Sequence, residues 1–240
     1  MKVNAIIVAA GSSERFGGAV PKQFKEICGC PLLSWAVSRF EAAKGIDQIV
    51  VVVAEEYLLY TSQQVIDPYD FRKVAKIVIG GESRRESVLK GLEALPISTD
   101  YVAIHDGARP LVAPVDIDRA VEVALTERAV VVAAKATDTV KRSKEGYVLS
   151  SLERDSLYLA QTPQVFQYDL IMTAHKEAAD SGGADHFTDD AAMVEARGFK
   201  VKIVEPSRPN FKVTTRDDLV LVEALLSKEV DEKPESRTRL

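Results

Sequence analysis

The sequence predicts an α/β fold: a Rossmann-like doubly wound, mostly parallel sheet with a projecting β-hairpin arm. Three observations carry this expectation. Short runs rich in β-branched residues recur along the chain, as strands buried on both faces require. Segments with apolar residues at helical spacing separate these runs, which is the pattern of a sheet wound on both faces. One stretch, 137–155, breaks the rhythm with alternating, charged, turn-containing sequence.

The first run, VNAIIVAA at 3–10, is closed by Gly11. A helix follows, with Leu33, Ala36, Val37 and Phe40 on one face and Pro31 in its first turn, where a missing N–H costs nothing. IVVVVA at 49–54 and KIVI at 76–79 are the next strands, and Val88, Leu92 and Leu95 mark a shorter helix. YVAIH at 101–105 and AVVVAA at 129–134 flank a helix whose inward face is Ile117, Ala120, Val121, Ala124 and Leu125. In the arm, Glu145-Gly146 turns DTVKRSK back onto YVLSSLERD. A hairpin cannot bury both of its faces alone, so the arm is expected to pair with a second copy of the chain. FKVKIV at 199–204 is the last strand. Thr214 or Thr215, followed by Asp217 and Asp218, caps a final helix that turns Leu219, Val222 and Leu226 inward. Residues 1–228 are expected to form one domain, and the polar stretch 229–240, interrupted by Pro234, a disordered tail.

Composition narrows the function. With 46% hydrophobic and 28% charged residues, the 240-residue chain has the make-up of a folded globular protein. Its net charge of -5 argues against a broad basic face for nucleic acid, while Arg15, Lys22, Arg84, Arg85 and Arg109 leave room for a local anion pocket. Cys28 and Cys30 have no neighbouring Cys or His cluster to complete a zinc site and read as reduced, structural thiols. The apolar start lacks the basic flank and cleavage pattern of a signal peptide, and no stretch is long enough for a transmembrane helix. A cytoplasmic location, away from membranes, is expected.

The strongest chemical signal is AAGSSERFGGAVPKQF at 9–24, which opens from the first strand at the carboxyl edge of the sheet, where open α/β sheets bind ligands. Gly11 and its small neighbours let backbone N–H groups approach phosphate oxygens, and Arg15 and Lys22 add charge. The spacing excludes a Walker A loop, and Ser13 stands where the dinucleotide fingerprint needs glycine. Taken alone, the segment could still be a plain glycine turn, with Arg15 and Lys22 solvent-facing. HDGARP at 105–110 ends another strand, which places Asp106 to hold a hard cation against phosphate, so Mg2+ or another divalent cation is expected. The competing reading is an Asx turn leading to Pro110, and Arg109 tilts the balance toward a site. His105 reads as a satisfied structural histidine, because neither His175 nor His186 is placed to form a metal cluster with it. Ser83 and Thr188 both suit helix N-caps, Thr188 with Asp189 and Asp190 in the first turn.

Five motifs in order, AAGxxxRxG…PKQF, GGxxRxxSV at 80–88, HDGARP, TPQ at 162–164 and FKVT at 211–214, resemble the 2-C-methyl-D-erythritol 4-phosphate cytidylyltransferase family from residue 3 to about 226. The resemblance implies transfer of CMP from CTP to a small polyol phosphate, the substrate phosphate attacking the α-phosphorus as pyrophosphate leaves. It further implies Arg15 and Lys22 as catalytic cations, Ala9, Ala10, Gly11 and Ser12 around the triphosphate, and Gly81, Glu82 and Ser87 around cytosine. By the same resemblance Arg84 holds the family's arginine position, whereas Arg85 reads as a solvated extra. Asp106, Arg109, Thr188 and Lys212 are then placed at the polyol phosphate, joined by Thr139 and Arg154 from a neighbouring subunit's arm. In the residues alone, Thr139 and Arg154 are ordinary hairpin surface, and capping accounts for Thr188.

The loop departs from the family's frequent GxGxRMG at Ser13 and Phe16, and a serine needing positive φ would be strained there. Gly107, where alanine is frequent, is expected mainly to add backbone freedom. Ribitol 5-phosphate cytidylyltransferase is the nearest alternative, although its loop usually begins AGG and here reads AAG. A catalytically silent nucleotide-binding module and an NAD-dependent enzyme are the readings from other classes.

Overall fold

The computed structural model describes residues 1–13, 16–17, 20–180 and 187–232. In chain order, β1 (Val3–Ala9) is followed by a two-residue pair, β2 (Glu26–Ile27) and β3 (Cys30–Pro31), and by helix α1 (Leu32–Ala42). β4 (Gln48–Val53) leads through the single turn α2 (Leu58–Tyr60) and a π-helical turn at Thr61–Ile66 to β5 (Val74–Ile79), α3 (Arg84–Ala94) and β6 (Tyr101–Asp106). Next come α4 (Pro114–Glu127), β7 (Ala129–Lys135), the hairpin β8 (Lys141–Lys144) and β9 (Tyr147–Ser151), then β10 (Tyr158–Gln167). α5 (Tyr168–Asp180), α6 (Asp190–Ala196), β11 (Lys202–Val204) and α7 (Arg216–Glu232) complete the described chain.

Seven strands form one sheet in the order β11-β7-β10-β6-β1-β4-β5. Six were legible as apolar runs. β10, which was not, lies antiparallel between β6 and β7. Its sequence, YLAQTPQVFQ, carries no clean period and contains Pro163, and the ladder to β7 shifts register between Ala160 and Gln164 to take the proline in. The run at 199–204 forms strand only over Lys202–Val204, at the sheet edge beside β7.

Strand residues alternate between the two faces, as a period of two demands. Val3, Ala5, Ile7 and Ala9 of β1 meet α1 and α4 through Leu33, Val37, Phe40 and Ile117. Ile6 points the other way, toward Val88 and Leu92 of α3 and Leu170 and Ile171 of α5. A third cluster closes α7 over the phosphate-loop end of the molecule, with Val222 and Leu226 against Trp35, Leu32 and Phe16. Side chains such as Phe40, fully buried, each contribute about 1.5–3 kcal/mol by leaving water.

The local signals resolve individually. α1 begins one residue later than expected, with Pro31 at the N-cap position. Ser83 caps α3 by accepting from the Glu86 N–H at 3.1 Å. At α6 the cap is Asp189, which accepts from the Ala192 N–H, and not Thr188, which lies one residue outside. Thr215 and Asp218 exchange hydrogen bonds at the start of α7, and the Thr214 hydroxyl holds the Asp218 carboxyl down at about 2. The same helix runs to Glu232, so residues 229–232 are helical and not part of a tail. Glu229 explains why: it pairs with Arg39 and Arg208, tying the last turns to the body. Residues 233–240 lie outside the described residues. Cys28 and Cys30 are both free thiols, Cys28 occupying with Gly29 a positive-φ turn between β2 and β3.

The arm is the predicted hairpin, turning through Glu145 at φ 52° and Gly146 at φ 84°. Both strands are exposed along their full length. Among the described residues, no helix is long and apolar enough to cross a membrane.

Candidate active site

The chain runs from β1 to β4 and β5 on one side and then returns to place β6 on the other, so the strand order reverses at β1. A cavity of about 550 Å³ opens at the carboxyl ends of β1, β5 and β6, where such a switch point leaves a crevice. Of the residues singled out from sequence, the structure gathers Ala9, Ala10, Gly11, Ser12, Lys22, Gly81, Glu82, Ser87, Asp106 and Lys212 into its walls. Arg15 lies outside the described residues. Arg109 stands behind the wall, bonding to the Asn210 carbonyl at 2.8 Å and approaching Asp106 at 3.5 Å. Thr188 is exposed and does not line the cavity. Neither do Thr139 and Arg154, both exposed; Arg154 bonds to the Thr137 carbonyl within the arm.

On the β1 side, backbone dominates. Ser13 sits at φ 61°, the left-handed conformation its position was suspected to need, and Phe16 is buried beneath the loop. On the β5 side, the Gly81 N–H donates to the Ser87 hydroxyl at 3.1 Å, and Ser87 is itself buried. A Cβ on Gly81 would stand 2.3 Å from that of Glu86, so only glycine lets the turn close on α3. Gly107 has ordinary φ, contrary to a role in backbone freedom. Its missing Cβ makes room instead, since one would come within 2.8 Å of Leu33 and 3.1 Å of Ala9.

The β6 side holds the charge. Asp106 receives Arg84 at 3.2 Å on one oxygen and Lys212 at 2.9 Å on the other. Burial alone would raise its pKa, but Arg84, Lys212 and Arg109 outweigh that and hold the carboxyl well below the usual carboxylate range. Arg84 reaches on to Asp190, fully buried, at 2.8 Å, and Asp190 meets buried His175 at 3.1 Å. Burial opposes the Arg84 charge, yet Asp190 and Asp106 push its pKa up, and Asp190 is correspondingly lowered. Burial lowers Arg109, which Asp106 only partly restores. Arg85, expected in solvent, is partly covered and lies 3.9 Å from Glu86.

Sequence reasoning missed Arg84's second partner, Asp190, and the supports of the site. Gln164 of TPQ pins the start of α6, donating to Asp189 and accepting from the Ala191 N–H. Thr162 accepts the Asp106 N–H at 3.0 Å and meets His105 Nδ1 at 3.0 Å. His105 is the structural histidine expected: Nε2 donates to the Arg109 carbonyl, so Nδ1 accepts from Thr162. In the sequence, the TPQ motif at 162–164 was the signal that pointed to these supports.

Burial pushes the His105 imidazole down to about 4, against 6.5 unperturbed. The unfolded chain therefore takes up this proton first, and about 3 kcal/mol of stability is lost as pH falls from 6.5 to 4. Below that window the depressed carboxylates of Asp106 and Asp190 continue the loss. Urea unfolding at pH 7 and 4.5 is expected to show a clearly lower midpoint in acid; an unchanged midpoint would contradict the buried neutral imidazole.

A glycine-containing loop at a sheet switch point, a second glycine turn and a cation cluster define a nucleotide-binding α/β enzyme of the nucleotidyltransferase class. The model of the 2-C-methyl-D-erythritol 4-phosphate cytidylyltransferase (IspD) family matches residues 3–228, and the chain belongs to that family. It is 42% identical over 226 residues to the 2-C-methyl-D-erythritol 4-phosphate cytidylyltransferase of Pelotomaculum thermopropionicum, covering 94% of each chain. It is 40% identical to that of Geotalea uraniireducens, covering 94% of this chain and 97% of the relative. Among solved structures it is similar to 4-diphosphocytidyl-2C-methyl-D-erythritol synthase of Anaerococcus prevotii, with TM-score 0.81, 29% identity and 94% and 96% coverage.

Proposed function

We propose that the chain transfers the CMP moiety of CTP to 2-C-methyl-D-erythritol 4-phosphate, in the non-mevalonate route to isoprenoid precursors. An oxygen of the polyol phosphate attacks the α-phosphorus of CTP, the bond from that phosphorus to the bridging oxygen breaks, and pyrophosphate leaves with the bonding electrons. The product is 4-diphosphocytidyl-2-C-methyl-D-erythritol. The supporting observation is the cavity itself, which sets a small-residue loop and Lys22 against the Asp106, Arg84 and Lys212 cluster. Two anions must be brought together, so positioning and charge carry the catalysis. Lys22 and Arg15 take the triphosphate, Gly81, Glu82 and Ser87 the base, and Lys212 and Asp106 the polyol phosphate, with Arg109 supporting Asp106 from behind the wall.

Magnesium, or another divalent cation, is part of the proposal as a companion of CTP. Among the described residues, no group of three or more His, Cys, Asp or Glu side chains stands ready as a resident metal site. Magnesium needs less, since it keeps several waters and binds through one or two carboxylates and the substrate phosphates. Asp106, ionised at the cavity wall, would hold it, with Lys212 free to turn from the carboxylate to phosphate. When bound, the ion supplies neutralisation of triphosphate charge.

Pairing of two copies through the arm completes the reading, in a cytoplasmic setting. Tyr147, Val148 and Leu149 are exposed, and Thr139 and Arg154 do not line their own chain's cavity. Pairing would carry both residues to a second copy. Gel filtration is expected to show a dimer, and Val148→Asp to weaken it and lower activity together. A fully active monomer would remove Thr139 and Arg154 from the reaction.

The decisive assay is pyrophosphate release with methylerythritol 4-phosphate or ribitol 5-phosphate, across the four nucleoside triphosphates, with and without EDTA. CTP with methylerythritol phosphate should dominate and EDTA should abolish release. Preference for ribitol phosphate would reassign the acceptor, and no release from any pair would leave a silent nucleotide-binding module.

A further inference from the structure

We infer that the Ser13 hydroxyl and the Gln23 carboxamide form a clamp that sets the shape of the phosphate loop, making both positioning residues for CTP. Ser13 occupies left-handed backbone at φ 61°, where Cβ crowds the backbone of a side-chain-bearing residue and glycine escapes the cost. Its hydroxyl offsets this cost. It donates to Gln23 Oε1 at 2.9 Å and accepts from the Lys22 N–H at 3.3 Å, so one side chain spans the loop and the turn that carries Lys22.

Gln23 completes the clamp from beneath. It is 4% exposed, and its amide nitrogen donates to the carbonyls of Ala9 at 2.8 Å and Gly11 at 3.1 Å. The Ser13 carbonyl is engaged too, by the N–H groups of Phe16 and Gly17. A loop that receives a triphosphate must turn its carbonyl oxygens away and present N–H groups, because carbonyl dipoles repel phosphate. Three carbonyls of this loop are held in that sense, two of them by Gln23. Loss of the clamp would free Ala9 and Gly11 to rotate and would loosen the span between the loop and Lys22.

The inference rests on CTP being the ligand of this cavity, and a double-mutant cycle tests it by two readouts, direct CTP binding and pyrophosphate release. Ser13→Gly relieves the backbone and removes the hydroxyl, whereas Ser13→Ala removes the hydroxyl and keeps the strain. Both are expected to lower CTP affinity and kcat/KM for CTP by about five- to tenfold, as loss of roughly one net hydrogen bond implies. KM for the polyol phosphate at saturating CTP and the thermal midpoint of Ser13→Gly should hold. In the Gln23→Ala background, Ser13→Gly should cost less than about twofold, because contacting residues are non-additive when one acts through the other. Ser13→Gly equal to or better than the unsubstituted chain, or additive losses in the cycle, would overturn the clamp. If CTP binds but no acceptor is turned over, the functional reading fails while the affinity cycle still decides the clamp. If CTP does not bind at all, both fall.

Discussion

Lys22→Ala lowers turnover by about two to three orders of magnitude while changing CTP affinity far less, the expected result for a cation that stabilises charge developing in the transition state. The fold holds this residue where that role requires. Lys22 opens a short 3-10 turn whose Phe24 is buried and stacks on Tyr57 with ring centroids 4.6 Å apart, so its backbone is fixed to the body of the protein. Lys22 lines the same cavity as Lys212 and Asp106, as a residue that helps bring two anions together must. Because the anchor is Phe24, the alanine variant should fold normally and bind CTP through the remaining loop contacts. Lys22→Arg keeps the charge but spreads it over a planar fork and should restore only part of the rate. Separate measurement of kcat and of CTP dissociation checks this, and near-normal turnover in the folded variant would remove Lys22 from the mechanism. Arg15→Ala is expected to behave alike.

Arg84→Ala is the substitution with the largest expected effect on stability, about 3–5 kcal/mol. It leaves Asp190 fully buried with the His175 imidazole as its remaining side-chain partner and takes one of three cations from Asp106. An unpaired buried carboxylate becomes easier to protonate in the folded state than in the unfolded one. The cost of the substitution should therefore shrink as pH falls from 7 toward 4, whereas the cost of losing a surface ion pair would stay nearly constant until the pH reaches the ordinary carboxylate range, about 4. In an Asp190→Asn background the same change should cost much less, since no buried charge is stranded. Denaturant titrations of the four proteins at both pH values decide this. Equal costs in the two backgrounds would mean that Arg84 and Asp190 do not depend on each other. Loss of Arg84 should also lower activity, because Arg84 is the side chain that holds Oδ1 of Asp106, while Lys212 and Arg109 approach Oδ2.

Much of the architecture was legible because its causes are local. Six of the seven strands announced themselves by β-branched runs, and the hairpin by Glu145-Gly146, whose positive φ angles are those a two-residue turn demands. Ser83 and Thr215 marked helix starts for the same reason, since a cap needs only a side-chain oxygen within three residues of an orphan N–H. The cap at α6 was misassigned by one residue: Thr188 and Asp189 are chemically equivalent candidates, and Gln164, donating to Asp189 from β10, holds that residue at the start of the helix. β10 itself escaped because a strand buried between two others can carry polar residues and a proline once its neighbours satisfy them, which periodicity does not reveal.

The phosphate loop shows the same division most sharply. The sequence by itself determined that a small-residue turn with cations follows a buried strand, that neither Walker A nor dinucleotide binding fits it, and that Ser13 would be strained if its backbone were left-handed. Only the tertiary structure decided that the strain is real and that Gln23 and Lys22 surround the serine hydroxyl. It alone brought Arg84 between Asp106 and Asp190. Propensity and capping act over a few neighbouring residues, whereas the orientation of a buried charge or carboxamide depends on partners brought together only when the sheet closes.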